Sequence, residues 1–276
     1  MTLRVGLIQL CSSDDPAANL PKTLDLINDA ANQGAVFVTT PEVTNCVSTS
    51  RTHQQHVLQA EQDDITLAAL RQHAQELGVW LLIGSLAIKS DDPDGRFANR
   101  SFLVAPDGGV RARYDKIHMF DVAVSDKETY RESAGYRPGE QAVTTDIPGA
   151  TLGMTICYDM RFPALYRHLA HAGAGVITVP SAFSPVTGAA HWEVLLRARA
   201  IETGCFILAP AQAGDHAISR GRPRSTYGHS MVVAPWGEVL IDAGMDPGAY
   251  VCDLDLGQID AARHRVPALT HDRAIA

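Results

Sequence analysis

No apolar run in these 276 residues approaches the ~20 needed to cross a bilayer, so a membrane-spanning helix is excluded. There is no CxxC pair. The five cysteines (Cys11, Cys46, Cys157, Cys205 and Cys252) are odd in number and scattered, which argues against both a disulfide framework and a zinc ribbon. Reduced thiols are the default, leaving any one of them free for chemistry. Blocks of like charge are missing too. The formal net charge of −8 is spread along the chain, which favours solubility and points neither to nucleic acid nor to an anionic membrane face. The opening MTLRVGLIQLCSSDD lacks a basic leader region and a small-residue cleavage site, so a mature, cytoplasmic chain is expected. Without a short-period repeat, a low-complexity tract or a linker, one mixed α/β domain over residues 1–276 is the economical reading.

What is present is enough for a full core: 46% hydrophobic and 20% charged residues. Strand-like and helix-like segments alternate. Residues 3–10 form a buried-strand run, and Leu20, Leu24, Ile27 and Ala31 follow at helical spacing, with Gly34 where a C-terminal cap belongs. Residues 35–39 read as the next strand, stopped by Pro41. A second helix carries Leu67, Leu70, Ala74 and Leu77 and is closed by Gly78, after which 79–86 is strand-like. Residues 101–105 and 110–114 flank Pro106-Asp107-Gly108-Gly109, a hairpin signal. Residues 117–148 show no clean period and are expected to form a long functional loop region. Alternation resumes with a strand at 151–157, a helix at 163–172, a strand at 175–180, a helix at 190–202 and a strand at 205–209. A hairpin at 231–234 and 238–241 turns through Pro235-Trp236-Gly237. This pattern suits an open doubly wound sheet and a two-sheet sandwich equally.

Three residues at strand ends draw attention. Cys157 closes the run Thr151-Leu152-Gly153-Met154-Thr155-Ile156 and precedes Tyr158-Asp159-Met160-Arg161-Phe162-Pro163 and a helix. A nucleophile at a strand-to-loop turn is held by the sheet while its side chain faces the rim, and the next N–H, that of Tyr158, can face a substrate oxygen. The alternative is a buried core cysteine, the usual fate of a free thiol. Glu42 follows the run Ala35-Val36-Phe37-Val38 and the turn Thr39-Thr40-Pro41, on the edge where α/β sites assemble; otherwise it is a solvated loop carboxylate. Lys116, in Tyr114-Asp115-Lys116-Ile117-His118-Met119-Phe120, is either an edge-strand surface residue or an ammonium aimed into a pocket. Glu132 says nothing alone. Gly173-Ala174-Gly175 precedes a strand instead of following one and is no dinucleotide fingerprint. His168 and His171 have helical spacing but no third ligand, so surface histidines are expected, and no metal or other cofactor is called for.

Together these positions resemble the nitrilase-like carbon–nitrogen hydrolases over nearly the whole chain. The matching pieces are Pro41-Glu42, the stretch from Tyr114 to Asp121, and Ile156-Cys157 through Phe162-Pro163. Pro180-Ser181-Ala182-Phe183, Thr187 through Glu193, Tyr227-Gly228-His229-Ser230 and Pro235-Trp236-Gly237-Glu238 follow in the same order. The resemblance implies a four-layer α-β-β-α sandwich of two mixed sheets with outer helices. It implies a Glu–Lys–Cys triad at Glu42, Lys116 and Cys157, with a second glutamate at Glu132. It further implies an oxyanion contact from the Tyr158 backbone, and a substrate carboxylate meeting Arg161 in a pocket lined by Phe183. The expected partner is a small-molecule amide, with assembly as a homodimer or higher homo-oligomer through residues 166–170 and the C-terminal segment. Within the family the pattern is nearest to amidases acting on deaminated glutathione. Omega-amidases, carbamoylases and catalytically silent assembly modules are the competing readings. One departure stands out: after Val122 the chain reads Ala123-Val124-Ser125-Asp126-Lys127, without the acid and proline common there.

Overall fold

A computed structural model describes residues 1–125 and 128–273; Asp126 and Lys127 of the departure just noted lie outside the described residues. The first half runs β1 (Thr2–Gln9), α1 (Pro16–Asn32), β2 (Phe37–Thr39), α2 (Arg51–Val57), α3 (Ile65–Leu77), β3 (Trp80–Lys89), β4 (Phe97–Val104) and β5 (Val110–Asp115). A short ribbon of β6 (Asp121–Ser125) and β7 (Glu128–Arg131) leads to β8 (Val143–Ile147) and β9 (Ala150–Met154). Then come α4 (Pro163–His171), β10 (Val176–Thr178), α5 (Pro185–Thr203), β11 (Phe206–Ala209), β12 (Ala213–Asp215), β13 (Ser225–Tyr227), β14 (Met231–Val233), β15 (Val239–Asp242), β16 (Gly248–Asp255) and α6 (Gly257–Arg265).

Two six-stranded sheets result, ordered β16-β1-β2-β3-β4-β5 and β15-β14-β11-β10-β9-β8. Each has three parallel strands at its centre, β1-β2-β3 and β9-β10-β11, flanked by antiparallel neighbours. Parallel neighbours require crossovers, which explains why helices link β1 to β2, β2 to β3, β9 to β10 and β10 to β11.

The period-two alternation of the central strands separates the layers. Leu3, Val5 and Leu7 of β1, Leu82 of β3 and Leu103 of β4 pack with Leu152, Met154, Phe206 and Leu208 of the second sheet. Their neighbours Ile8, Leu81, Ile83, Phe102 and Val104 face the other way, onto Leu26, Ile27 and Ala30 of α1 and Leu67, Leu70 and Ala74 of α3. On the far side α4 and α5 cover the second sheet with Leu165, Leu169, Trp192 and Leu196. The architecture is the four-layer α-β-β-α sandwich, and the open doubly wound alternative is set aside.

Local chemistry fixes the helix ends. Asp15 accepts from the N–H groups of Ala17 and Ala18, with Pro16 opening α1, and Asp64 caps α3 through Leu67 N–H at 2.8 Å. Gly78 (φ +65°) closes α3 as expected, whereas α1 is capped by Gln33 one residue before Gly34. The buried stripe of α1 is Thr23, Leu26, Ile27 and Ala30, rotated from the expected one, so Leu20, Leu24 and Ala31 only flank it. Residues 117–148 are less irregular than expected, holding β6, β7 and the edge strand β8.

Candidate active site

Three loops at the carboxyl ends of central strands and one beyond β5 converge where the two sheets meet. After β2, Pro41 carries the chain into Glu42. The turn is tight enough that Gly84 of β3 has no room for a side chain: a Cβ there would lie 1.9 Å from the Thr40 carbonyl oxygen and 2.6 Å from that of Pro41. Val43, the next residue, is β-branched yet has φ +47°, and its N–H is held by Ser85 Oγ at 2.8 Å. β9 ends at Met154, three residues before Cys157, so the thiol opens a 3-10 turn (Cys157–Arg161) instead of closing a strand. Cys157 also has φ +47°. Such conformations cost about 1–3 kcal/mol each and persist only where surroundings enforce them.

For Cys157 the enforcing group is Asp159. Fully buried, it accepts from Ile156 N–H (2.9 Å), His118 N–H (3.0 Å) and the Tyr114 hydroxyl (2.6 Å), with His118 Nδ1 at 2.7 Å. Cys157 N–H itself donates to the Pro180 carbonyl at 2.9 Å. The Tyr158 N–H is among the first donors of the 3-10 turn, which have no partner inside it.

Lys116 follows β5 directly. Its N–H donates to the Asn99 carbonyl (3.0 Å) and its carbonyl accepts from Gly139 (2.7 Å), while Asp115 beside it is gripped by Arg100 and Arg137. The side chain is 2% exposed. Its Nζ lies 2.9 Å from Glu42 Oε1 and 2.9 and 2.8 Å from the two oxygens of Glu132. Glu132 also accepts from Phe120 N–H at 2.7 Å. Glu42 Oε2 accepts from Ala182 N–H at 2.8 Å, and its other neighbour is the Cys157 thiol.

Sequence reasoning passed over Asn99. Its Nδ2 donates to Glu42 Oε1 (2.9 Å) and reaches Glu132 Oε1 (3.4 Å). Its Oδ1, buried, has no partner among the described residues. The opposite amide orientation would set a lone pair against two carboxylates, so the orphaned acceptor follows from the cluster. The available signal was weak: an amide that sits beside Arg100 and Ser101 in the strand Phe97–Val104. Asp159 stood in the sequence only as part of the segment after Cys157, with no role of its own.

Electrostatics polarises this cluster. Burial alone would raise the Glu42 carboxyl, but the Lys116 ammonium, with hydrogen bonds from Lys116, Cys157 and Asn99, holds it below its ordinary value. Burial would lower Lys116, yet Glu132 and Glu42 drive it well above its usual range. Burial and then the Glu42 charge push the Cys157 thiol up. The resting pair is therefore a carboxylate facing a neutral thiol. Cys46 lines the same cleft and is pushed up to about 12 by burial and then Asp14, but its thiol donates to the Asp14 backbone carbonyl.

These residues lie in a cleft of about 670 Å³ lined by Glu42, Lys116, Cys157, Glu132, Asn99 and Phe183 among others, within the usual range for small-molecule sites. Arg161, expected to meet a substrate carboxylate, is not on the lining. Its guanidinium is 5.4 Å from the Phe183 ring and 5.8 Å from that of Tyr158, with Nη2 3.3 Å from His191 Nδ1. It packs near Phe183, which does line the cleft. Among the described residues no group of three His, Cys, Asp or Glu side chains is placed to hold a metal, and no helix is long and apolar enough to cross a membrane.

Known proteins are similar to this chain in sequence and fold. The chain is 40% identical over 276 residues to a deaminated glutathione amidase of Yersinia enterocolitica, covering 99% of this chain and 93% of that one. It is 37% identical over 274 residues to the Homo sapiens deaminated glutathione amidase, covering 98% and 82%. Among solved structures, the C. elegans NitFhit protein superposes with a TM-score of 0.89 at 32% identity over 99% of this chain, which spans 65% of that longer one. A glutamate-to-glutamine mutant of the amidase from Nesterenkonia sp. AN1, solved with the acetamide moiety of fluoroacetamide added covalently at its active-site cysteine, gives 0.80 at 27%, covering 98% and 94%. The carbon–nitrogen hydrolase family model matches residues 4–264, and the chain belongs to that family.

Proposed function

We propose that the protein is a thiol-dependent amidase whose nucleophile is Cys157, whose base is Glu42 and whose electrostatic partner is Lys116. The observation carrying this reading is the buried Glu42–Lys116–Glu132 cluster set against a thiol on a strained turn. A buried ionic cluster is expensive as mere structure, so its place in a cleft argues for chemistry.

The reaction follows from the resting charges. Cys157 Sγ attacks the amide carbon as its proton passes to Glu42. Charge developing on the carbonyl oxygen is met by the Tyr158 N–H and the Lys116 ammonium. The ammonium acts chiefly through its charge, its donors being directed at the two glutamates. Glu42 then protonates the nitrogen, the C–N bond breaks, and a thioester remains. Water enters, gives a proton to Glu42 and attacks the thioester; the acid leaves and the proton returns to sulfur. Glu132 holds Lys116 in place through its two short bonds.

The substrate we propose is deaminated glutathione, cleaved to 2-oxoglutarate and Cys-Gly. Support comes from the full-length relatives of that name and from a cleft larger than an ammonia-releasing amide requires. Phe183 forms a substrate-facing wall, and Arg161 is assigned to bracing it. Cys157→Ser and Cys157→Ala should each abolish turnover with the fold retained; more than about a tenth of wild-type activity in either would overturn the assignment.

We further propose a cytoplasmic homodimer. The five free thiols suit a reducing compartment. Of residues 166–170, expected at the interface together with the C-terminal segment, Tyr166, Leu169 and Ala170 are already buried within the chain, leaving Arg167 and His168. A better patch is Val194 and Ile201 on α5 with Trp236 and Leu240 of the β14–β15 hairpin, all at least 42% exposed. Light scattering at micromolar concentration should give twice the 29.7 kDa chain mass, and the monomer mass would refute this.

A further inference from the structure

The cleft is lined by more cations than its chemistry uses. Lys116 is committed to Glu42 and Glu132. Arg51 lies over the Phe97 ring at 4.2 Å and donates to the carbonyls of Gly135 and Gly95. Arg224 donates to the Ala182 carbonyl at 2.8 Å and lies 5.6 Å from the Tyr130 ring centre. Arg131 has an electrostatic interaction with Asp121. Arg222 is different. It lines the cleft, is exposed, and its guanidinium has no hydrogen bond or ion pair among the described residues.

Its backbone, by contrast, is firmly held. Thr49 Oγ1 accepts from the Arg222 N–H at 2.8 Å and donates to the Arg222 carbonyl at 2.9 Å. Gly221 has φ +106°, and a Cβ there would come within 2.4 Å of Thr49 Oγ1, so this close approach requires glycine. Earlier in the same loop, Asp14 Oδ2 accepts from both the N–H and the hydroxyl of Ser219, at 2.7 and 2.8 Å. A loop tethered at two points thus presents one free guanidinium at the rim.

We infer that Arg222 is a specificity-determining residue that receives a carboxylate on the amine half of the substrate, the part that leaves as the C–N bond breaks. This rests on the amidase reading above and deepens it. An amide that releases ammonia has nothing to offer Arg222, whereas one that releases a dipeptide acid carries a carboxylate a few bonds beyond the nitrogen. A planar guanidinium suits that group, since it can bind both oxygens side by side.

The test compares two substrates in the full-length enzyme: deaminated glutathione, and the same molecule with its terminal glycine carboxylate converted to a carboxamide. Wild type should prefer the acid by roughly tenfold in kcat/KM, and Arg222→Gln should bring the ratio close to one. The ratio is independent of how much of the variant folds. An acid-to-amide ratio in Arg222→Gln equal to that of wild type, or a wild-type ratio already near one, overturns the inference while leaving the amidase reading intact. Wild type cleaving neither substrate overturns the substrate reading itself, and the inference with it.

Discussion

Replacing Lys116 by methionine tests how the buried charges depend on one another. The ammonium is the cation shared by two carboxylates, at 2.8–2.9 Å from three of their oxygens and with 2% of its surface exposed. Removing one partner from a buried ionic group costs about 3–5 kcal/mol. That cost should depend on pH. In wild type the Glu42 carboxyl is held below its ordinary 4.5, so its contribution to stability is present above that value and lost as pH falls through the folded pKa. In Lys116→Met, burial and the Glu132 charge raise the same group, and the folded variant takes up a proton that the unfolded chain does not. The loss should therefore be largest near pH 7.5 and shrink toward about pH 5. Across that interval the raised Lys116 of wild type stays protonated. Denaturant unfolding at the two pH values supplies the energies. Turnover should fall by about 10²–10³-fold, the range for losing one oxyanion-stabilising group, with the acid limb of residual activity moved upward. Equal destabilisation at both pH values, or turnover within tenfold of wild type, would refute the reasoning.

Three further outcomes follow from the same geometry. Asn99→Ala removes a hydrogen bond to an ionised Glu42, worth about 1.5–3 kcal/mol; kcat should fall tenfold or more and the acid limb rise, and an unshifted pH profile would contradict this. Gly84→Ala sets a Cβ 1.9 Å from a backbone oxygen in the turn that delivers Glu42, so thermal unfolding should show a loss of about 3 kcal/mol or more. Gly78→Ala, with nothing within 4 Å, should cost only about 1 kcal/mol through its φ, and equal losses would refute the packing argument. Iodoacetamide alkylation of Cys157, followed by peptide mapping, should accelerate with pH through 9 because the thiol is pushed above its ordinary 9.0; a plateau near neutrality would show a resting thiolate instead.

The central strands were legible because burial on both faces writes them as apolar runs, as in Val5-Gly6-Leu7-Ile8 and Phe206-Ile207-Leu208. Glu42 and Cys157 were legible as chemistry-bearing residues beside such runs, and Lys116 as a lysine just after the alternating edge strand β5. Elements stabilised by distant partners were not. β16 pairs with β1 from Thr2↔Asp255 to Gln9↔Gly248, a contact across nearly the whole chain, and its mostly half-exposed residues carry no clear run. β8, Val-Thr-Thr-Asp-Ile, is a polar edge strand that only its pairing with β9 defines. Arg161 was expected, from the family resemblance, to meet a substrate carboxylate, but the structure sets its guanidinium against the Phe183 ring and off the cleft lining. Nor does local sequence announce positive φ at Val43 and Cys157: the first depends on Ser85 of β3, the second on Asp159 being held by Tyr114 and His118 from a distant part of the chain.

Rapid-quench mass spectrometry of the enzyme mixed with deaminated glutathione tests the central claim most directly. The account predicts one 2-oxoglutaryl group in thioester linkage on the peptide carrying Cys157, formed and lost at rates that match turnover. Full turnover with no acyl group on Cys157, or an acyl group on another residue that forms and decays at the turnover rate, would contradict it.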